Sequence, residues 1–275
     1  MIAVADRRAA GQIGRHARLE LVFAERGGRT VLAHAYAEPP YRVVPGFDHP
    51  FGLHVIVASS APGVFGGDAL EQSVIVEAGA RVLLTSQSAT QLHPDRAGRP
   101  AGLRGRYIVG DGGSLRCDWD PLIPFAGAAL THQIAIELAG EARLMWMDAT
   151  MTGRAGRGER WRMASLEHEL RLVHDGRLEY LERYAIRPEG SARAGSHTLT
   201  LPWIAGNADY FGTAIVGGAD HPRELAERLH LELAAAGEVE AAADALSDWL
   251  VVVRMLSASG TAFHRARALL RGIRL

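Results

Sequence analysis

At 275 residues, with 48% hydrophobic side chains and a formal net charge of -1, the chain can bury a sizeable core and carries no global field to draw nucleic acid or an anionic membrane. All 30 basic residues are arginine, which excludes P-loop phosphoryl transfer, protein kinases, Schiff-base enzymes and pyridoxal-phosphate enzymes, each of which needs a lysine. A single cysteine, Cys117, excludes an internal disulfide, the N-terminus lacks a signal-peptide apolar run and no stretch suits a bilayer, so the chain reads as soluble and cytoplasmic.

Residues 1–16 show no periodicity and read as a loose leader before a single domain over 17–275. Leu19, Leu21 and Phe23 alternate with other residues, placing them on one face of a strand. Gly27 and Gly28 turn the chain, and Thr30 to Tyr36 returns. The loop Pro62 to Asp68 (Pro-Gly-Val-Phe-Gly-Gly-Asp) resembles a nucleotide loop, but Asp68 stands where a P-loop requires Gly-Lys-Ser/Thr.

Four later segments share the form strand, glycine turn, strand, centred on Gly79, Gly113, Gly140 and Gly176. Glycine supplies the positive φ of tight reversals, and Asp175-Gly176 is the strongest hairpin signal. The uneven spacing predicts stacked hairpins or an irregular β-helix-like stack.

Helix signals come late. Pro222 and Glu224 open a helix with Leu225, Leu229 and Leu233 on one face. A second follows Gly260, with Phe263, Ala266, Leu270 and Ile273 on one face and Arg265, Arg267, Arg271 and Arg274 expected largely elsewhere. Trp249 to Leu256 between them reads as a strand, and Arg187 to Ser196 as a flexible loop. The order predicts a mainly-β (α+β) fold with two helices near the C-terminus.

Chemical motifs are sparse. No histidine has a partner at helix or strand ligand spacing, and His168 and His174 on one strand would stand roughly 20 Å apart. There is no Gly-x-Ser-x-Gly elbow, and Cys117 reads as a small buried thiol. Asp118 and Asp120 have the form of a carboxylate pair for a hydrolase, or of a strand end ahead of Pro121. The loop Gly153 to Glu159 reads as an anion-binding backbone or a surface loop. A structural β domain that only binds a partner remains the third alternative.

Taken in order, Gly66-Gly67-Asp68, Thr85 to Gln91, Leu115 to Phe125, Gly153 to Glu159, Glu182-Arg183 and the arginine-rich last helix resemble the urease accessory protein family UreD, also called UreH. The resemblance covers residues 17–275, with Gln91 where the family carries a lysine and Cys117 to Pro121 altering a Trp-Leu-Pro element. It implies a non-enzymatic maturation factor with a β-helix-like fold. Its implied partners are UreF, the GTPase UreG and the urease apoprotein, in a dimeric heterocomplex held through UreF. It further implies no permanently bound cofactor and a transient passage of nickel(II) through a polar interior. The residues expected along that route are Asp68, Asp148 and Glu182, then Glu159 and His93.

Overall fold

The structure is a computed structural model that describes residues 14–188 and 205–273. Most of the expected leader and residues 189–196 of the expected loop lie outside the described residues. The chain forms β1 (His16–Arg26), β2 (Arg29–Ala37), β3 (Tyr41–Val43), β4 (Phe47–His49), β5 (Gly52–Ser59), β6 (Val64–Phe65), β7 (Ala69–Val76), β8 (Arg81–Ser86), β9 (Thr90–His93), β10 (Ala101–Val109), β11 (Ser114–Asp118) and β12 (Leu122–Pro124). It continues with β13 (Ala129–Leu138), β14 (Arg143–Met151), β15 (Ser165–His174), β16 (Arg177–Ile186), β17 (Tyr210–Gly217), α1 (Pro222–Ala235), β18 (Glu240–Ala245), β19 (Leu250–Ser257) and α2 (Gly260–Arg271).

The strands wind into a stack of coils. One sheet has the order β16-β15-β13-β10-β7-β1-β2, and the second runs β18-β19-β17-β14-β11-β8-β5-β3. Pairing from β1 through β7, β10 and β13 to β15 is parallel, as it is from β5 through β8 and β11 to β14. A short strip of β6, β9 and β12 closes a third side of the coils.

Of the two expected arrangements this is the β-helix-like stack, in a mainly-β fold with two helices near the C-terminus, and the hairpin form fails at three of the glycine turns. The turns at Gly79, Gly113 and Gly140 carry the chain from one sheet to the other, and each stacks on the turn of a neighbouring coil: Gly110 N–H donates to Val76 O at 2.8 Å and Arg143 N–H to Gly113 O at 2.9 Å. A coil corner and a hairpin share the same alternating pattern, so the sequence did not separate them. Only the fourth segment is a hairpin, β15 and β16 pairing antiparallel across Asp175 (φ 47°) and Gly176 (φ 77°).

Two cores follow from the patterning. Between the sheets pack the inward residues of both, among them Phe23, Val76, Val109, Ile136, Val82, Leu115 and Leu144, all fully buried. The far face of the second sheet is apolar as well, and Met145, Met147, Val216 and Val253 pack there on Leu229, Leu233, Phe263 and Leu270 of the helices. Strands buried on both faces lose alternation, which is why β14, β17 and β19 read as continuous apolar runs. Arg267 departs from its expected place off the apolar face, since it is only 1% exposed. At 3.6 residues per turn it falls within the stripe of Phe263, Ala266 and Leu270. Among the described residues no helix is long and apolar enough to cross a membrane.

Candidate functional site: a polar cavity between the sheets

Parallel pairing aligns side chains into columns across the coils. One inward column of the first sheet runs Ala17, Leu70, Leu103, His132, His168 and Tyr184, and the next runs Leu19, Gln72, Gly105, Ile134, Leu170 and Glu182. The facing column of the second sheet holds Asp148, Thr213 and Arg254. Where these columns meet, the sheets flank a half-open cavity of about 710 Å³. Gly105 in the second column leaves room for the Tyr107 ring, since a Cβ there would fall 2.7 Å from it.

The lining combines an apolar stretch, including Leu70, Leu103, Trp119 and Phe211, with a polar end. At that end His132 Nδ1 and His168 Nδ1 lie 3.3 Å apart, so only one of the two carries hydrogen on that atom. Burial, aided by His168, pushes the His132 imidazole down to about 3, which holds it neutral. His168 stacks on Tyr184 with centroids 4.8 Å apart. Asp148 accepts from Trp146 Nε1–H at 3.1 Å. Burial raises its carboxyl and Glu182 adds to this, against opposing pulls from His168, Trp146 and Arg267.

Glu182 is 6% exposed and held on both oxygens. Arg254 Nη1–H donates to Oε1 at 2.8 Å and Tyr180 O–H to Oε2 at 3.2 Å, with Thr213 O–H 3.4 Å from Oε1. Arg254 Nη2–H also donates to the Tyr180 oxygen at 2.9 Å. Burial works against the Arg254 charge, but Glu182 and Tyr180 outweigh it and hold the guanidinium protonated. Among the described residues no three His, Cys, Asp or Glu side chains converge to cage a metal ion. The cavity offers imidazole nitrogen and carboxylate oxygen, donors suited to a borderline divalent ion, spread along its wall.

Of the residues expected on a nickel route, Asp148 and Glu182 line this cavity. Asp68, His93 and Glu159 are absent from its lining and lie along one ladder on the third side of the coils. Asp68 accepts from the Arg15 N–H at 2.8 Å, the Arg15 guanidinium at 3.0 Å and the Phe65 N–H at 3.0 Å. Arg15 lies 5.4 Å over Phe65, which stacks on His93 at 4.5 Å; His93 meets Phe125 edge-on at 4.6 Å, and Arg154 sits 3.9 Å over Phe125. Glu159 closes the ladder on Arg154 at 2.7 Å. The Gly153 to Glu159 loop thus spends its first arginine on its own last carboxylate.

The hydrolase alternative finds Asp118 tied to Arg267 and Arg271, and Asp120 bonded to Ser86 at 3.0 Å with Arg267 at 3.8 Å. The two carboxylates share a cation rather than facing a common substrate space. Cys117 is buried, and burial pushes its thiol well up, the reverse of an activated nucleophile.

Reading by strand spacing missed His132, Tyr180, Tyr184 and Arg254, and missed His168 as the partner of His132. A signal existed: His132 and His168 stand at the same offset before the turn glycines Gly140 and Gly176, which is what neighbouring coils in register require. Arg254 carried none, since it interrupts an apolar strand that only the cavity explains.

A family model described as UreD urease accessory protein matches residues 15–274. A urease accessory protein UreD of Sorangium cellulosum is 33% identical over 92% of this chain and 78% of its own. One from Deinococcus radiodurans is 33% identical over 79% and 77%, and one from Delftia acidovorans 33% over 94% and 90%.

Proposed function

This chain belongs to the UreD urease accessory protein family, and from that premise we propose that it bridges a UreF–UreG complex to apo-urease and lets nickel(II) pass through its polar cavity. In this reading it works in the cytoplasm, turns over no substrate of its own, and assembles as a dimeric heterocomplex through UreF, while UreG supplies the nucleotide chemistry that a lysine-free chain lacks.

The observation that carries the reading is the pairing of Asp148 with Glu182 across one cavity, beside two histidines of which His132 is held neutral. Nickel sits high in the divalent affinity order, so a closed cage would retain it. Donors spread along a wall bind it one or two at a time and permit handover. Asp68, His93 and Glu159 contribute in this scheme by fixing the third side of the coils.

Co-expression of urease with its accessory proteins tests the proposal. The Asp148→Asn/Glu182→Gln variant is expected to assemble with UreF, UreG and apo-urease and to lower activation by about tenfold or more, the loss typical of altered metal ligation. Full activation by an assembled double variant would overturn it.

A further inference from the structure

We propose that Arg254 is a resident competitor for the cation site: its guanidinium occupies Glu182, and a divalent ion gains that carboxylate only by displacing it. The inference rests on the nickel-route reading and adds a device that sets how long an ion stays.

The geometry is a closed ring spanning both sheets. Glu182 and Tyr180 come from β16 and Arg254 from β19, with Arg254 bonded to Glu182 at 2.8 Å and to Tyr180 at 2.9 Å, and Tyr180 to Glu182 at 3.2 Å. The partners differ in freedom. The Glu182 side chain is 6% exposed, whereas that of Arg254 is 59% exposed on a long flexible stem. The carboxylate is therefore the fixed element and the guanidinium the movable one. When Arg254 swings aside, Tyr180 and Thr213 still donate to Glu182 and keep it aimed.

Charge bookkeeping gives the consequence. Without Arg254, Asp148 and Glu182 would be two carboxylates facing one cavity, and a divalent ion would neutralise both and remain. With Arg254 in place the ion must first break a charge-assisted pair whose carboxylate is buried. Its net affinity falls by the free energy of that pair, and the returning guanidinium refills Glu182 as the ion departs. An arginine beside a cation route is otherwise a repulsive obstacle, and this exchange gives it a purpose.

Calorimetric titration of the full chain with nickel(II) tests the inference. Arg254→Met is expected to bind nickel on the order of tenfold more tightly than the unsubstituted chain, and Arg254→Met/Glu182→Gln to lose that gain. Assembled with its partners, Arg254→Met is expected to slow the appearance of active urease, because the ion leaves late. Unchanged or undetectable nickel binding by folded Arg254→Met, or a gain that survives Glu182→Gln, would overturn it. If Arg254→Met shows no cooperative melt, Arg254→Lys keeps the charge without the two-point fork and is held to the same test: tighter than the unsubstituted chain supports, equal or weaker overturns. Full activation by the assembled Asp148→Asn/Glu182→Gln variant would sink the nickel route itself. Loss of activation there, with Arg254→Met at unchanged affinity, would sink only the role of Arg254.

Discussion

His132 borders the cavity with its imidazole held down to about 3, against an ordinary 6.5, because burial and His168 both oppose a proton there. The unfolded chain takes up that proton near pH 6.5 and the folded one does not. The stability this residue contributes is therefore complete above pH 6.5 and falls as pH drops, by up to about 1.4 kcal/mol per pH unit over that window. Urea unfolding between pH 7.5 and 5 is expected to show this slope, and His132→Gln to flatten it. Asp148 has the opposite sign. Its raised carboxyl favours the folded state below the ordinary 3.8 and costs stability once ionised, so Asp148→Asn is expected to stabilise the isolated chain at pH 7 while lowering urease activation. A residue that destabilises the fold yet supports function is the signature of a site rather than of a scaffold. Asp68 behaves in the reverse way. It binds two backbone N–H groups and Arg15, so Asp68→Ala is expected to cost about 3 kcal/mol in thermal or urea unfolding, with activation falling only as folded protein is lost.

At the scale of elements, α2 is fastened to the second sheet by charge as well as by packing. Arg267 reaches through the apolar interface to Asp118 and donates to the Trp119 carbonyl at 2.7 Å, while Arg116 donates to the Ile273 carbonyl at 2.6 Å just past the helix end. Arg267→Met leaves Asp118 with Arg271 alone and is expected to cost about 3 kcal/mol in thermal unfolding, and adding Asp118→Asn should recover part of it. The helix itself was legible, because Phe263, Ala266 and Leu270 repeat at its period. The buried arginine was not, since periodicity sorts residues by hydropathy and Arg267 lies in the apolar stripe against its type. The same limit applied to the strands. Alternation marked β1, β7, β13 and β15, and Asp175-Gly176 marked its hairpin, but nothing local told whether the strand after Gly79, Gly113 or Gly140 pairs with its predecessor or with the next coil. Pairing decides which residues share a column, so the His132–His168 contact and the Arg254 bridge were not legible; the family resemblance offered Asp148 and Glu182, which line the cavity, in one set with Asp68, His93 and Glu159, which do not.

Across the whole molecule, the parallel coils form the middle and the antiparallel additions the margins. β7, β10 and β13 are flanked on both sides by other strands, whereas β2 and β18 are outermost in their sheets, β2 largely exposed and β18 half so. Hydrogen exchange is expected to release β2 and β18 first and the central strands last, at rates tracking global unfolding. The cavity lies between strands of both sheets, so most of its lining moves with the stable body, while exposed long side chains at its margin such as Arg254 and Arg104 keep their freedom.

Column alignment also imposes an arithmetic on change. Removing one residue between His132 and the Gly140 corner would point the imidazole at solvent and bring a neighbour such as Gln133 or Thr131 inside, whereas removing two would leave an inward side chain at every level and merely slide the histidine one rung along the wall. Within these strands length is therefore quantised by parity: odd edits exchange the inside for the outside of the protein, and even ones only re-index the side chains that line the cavity.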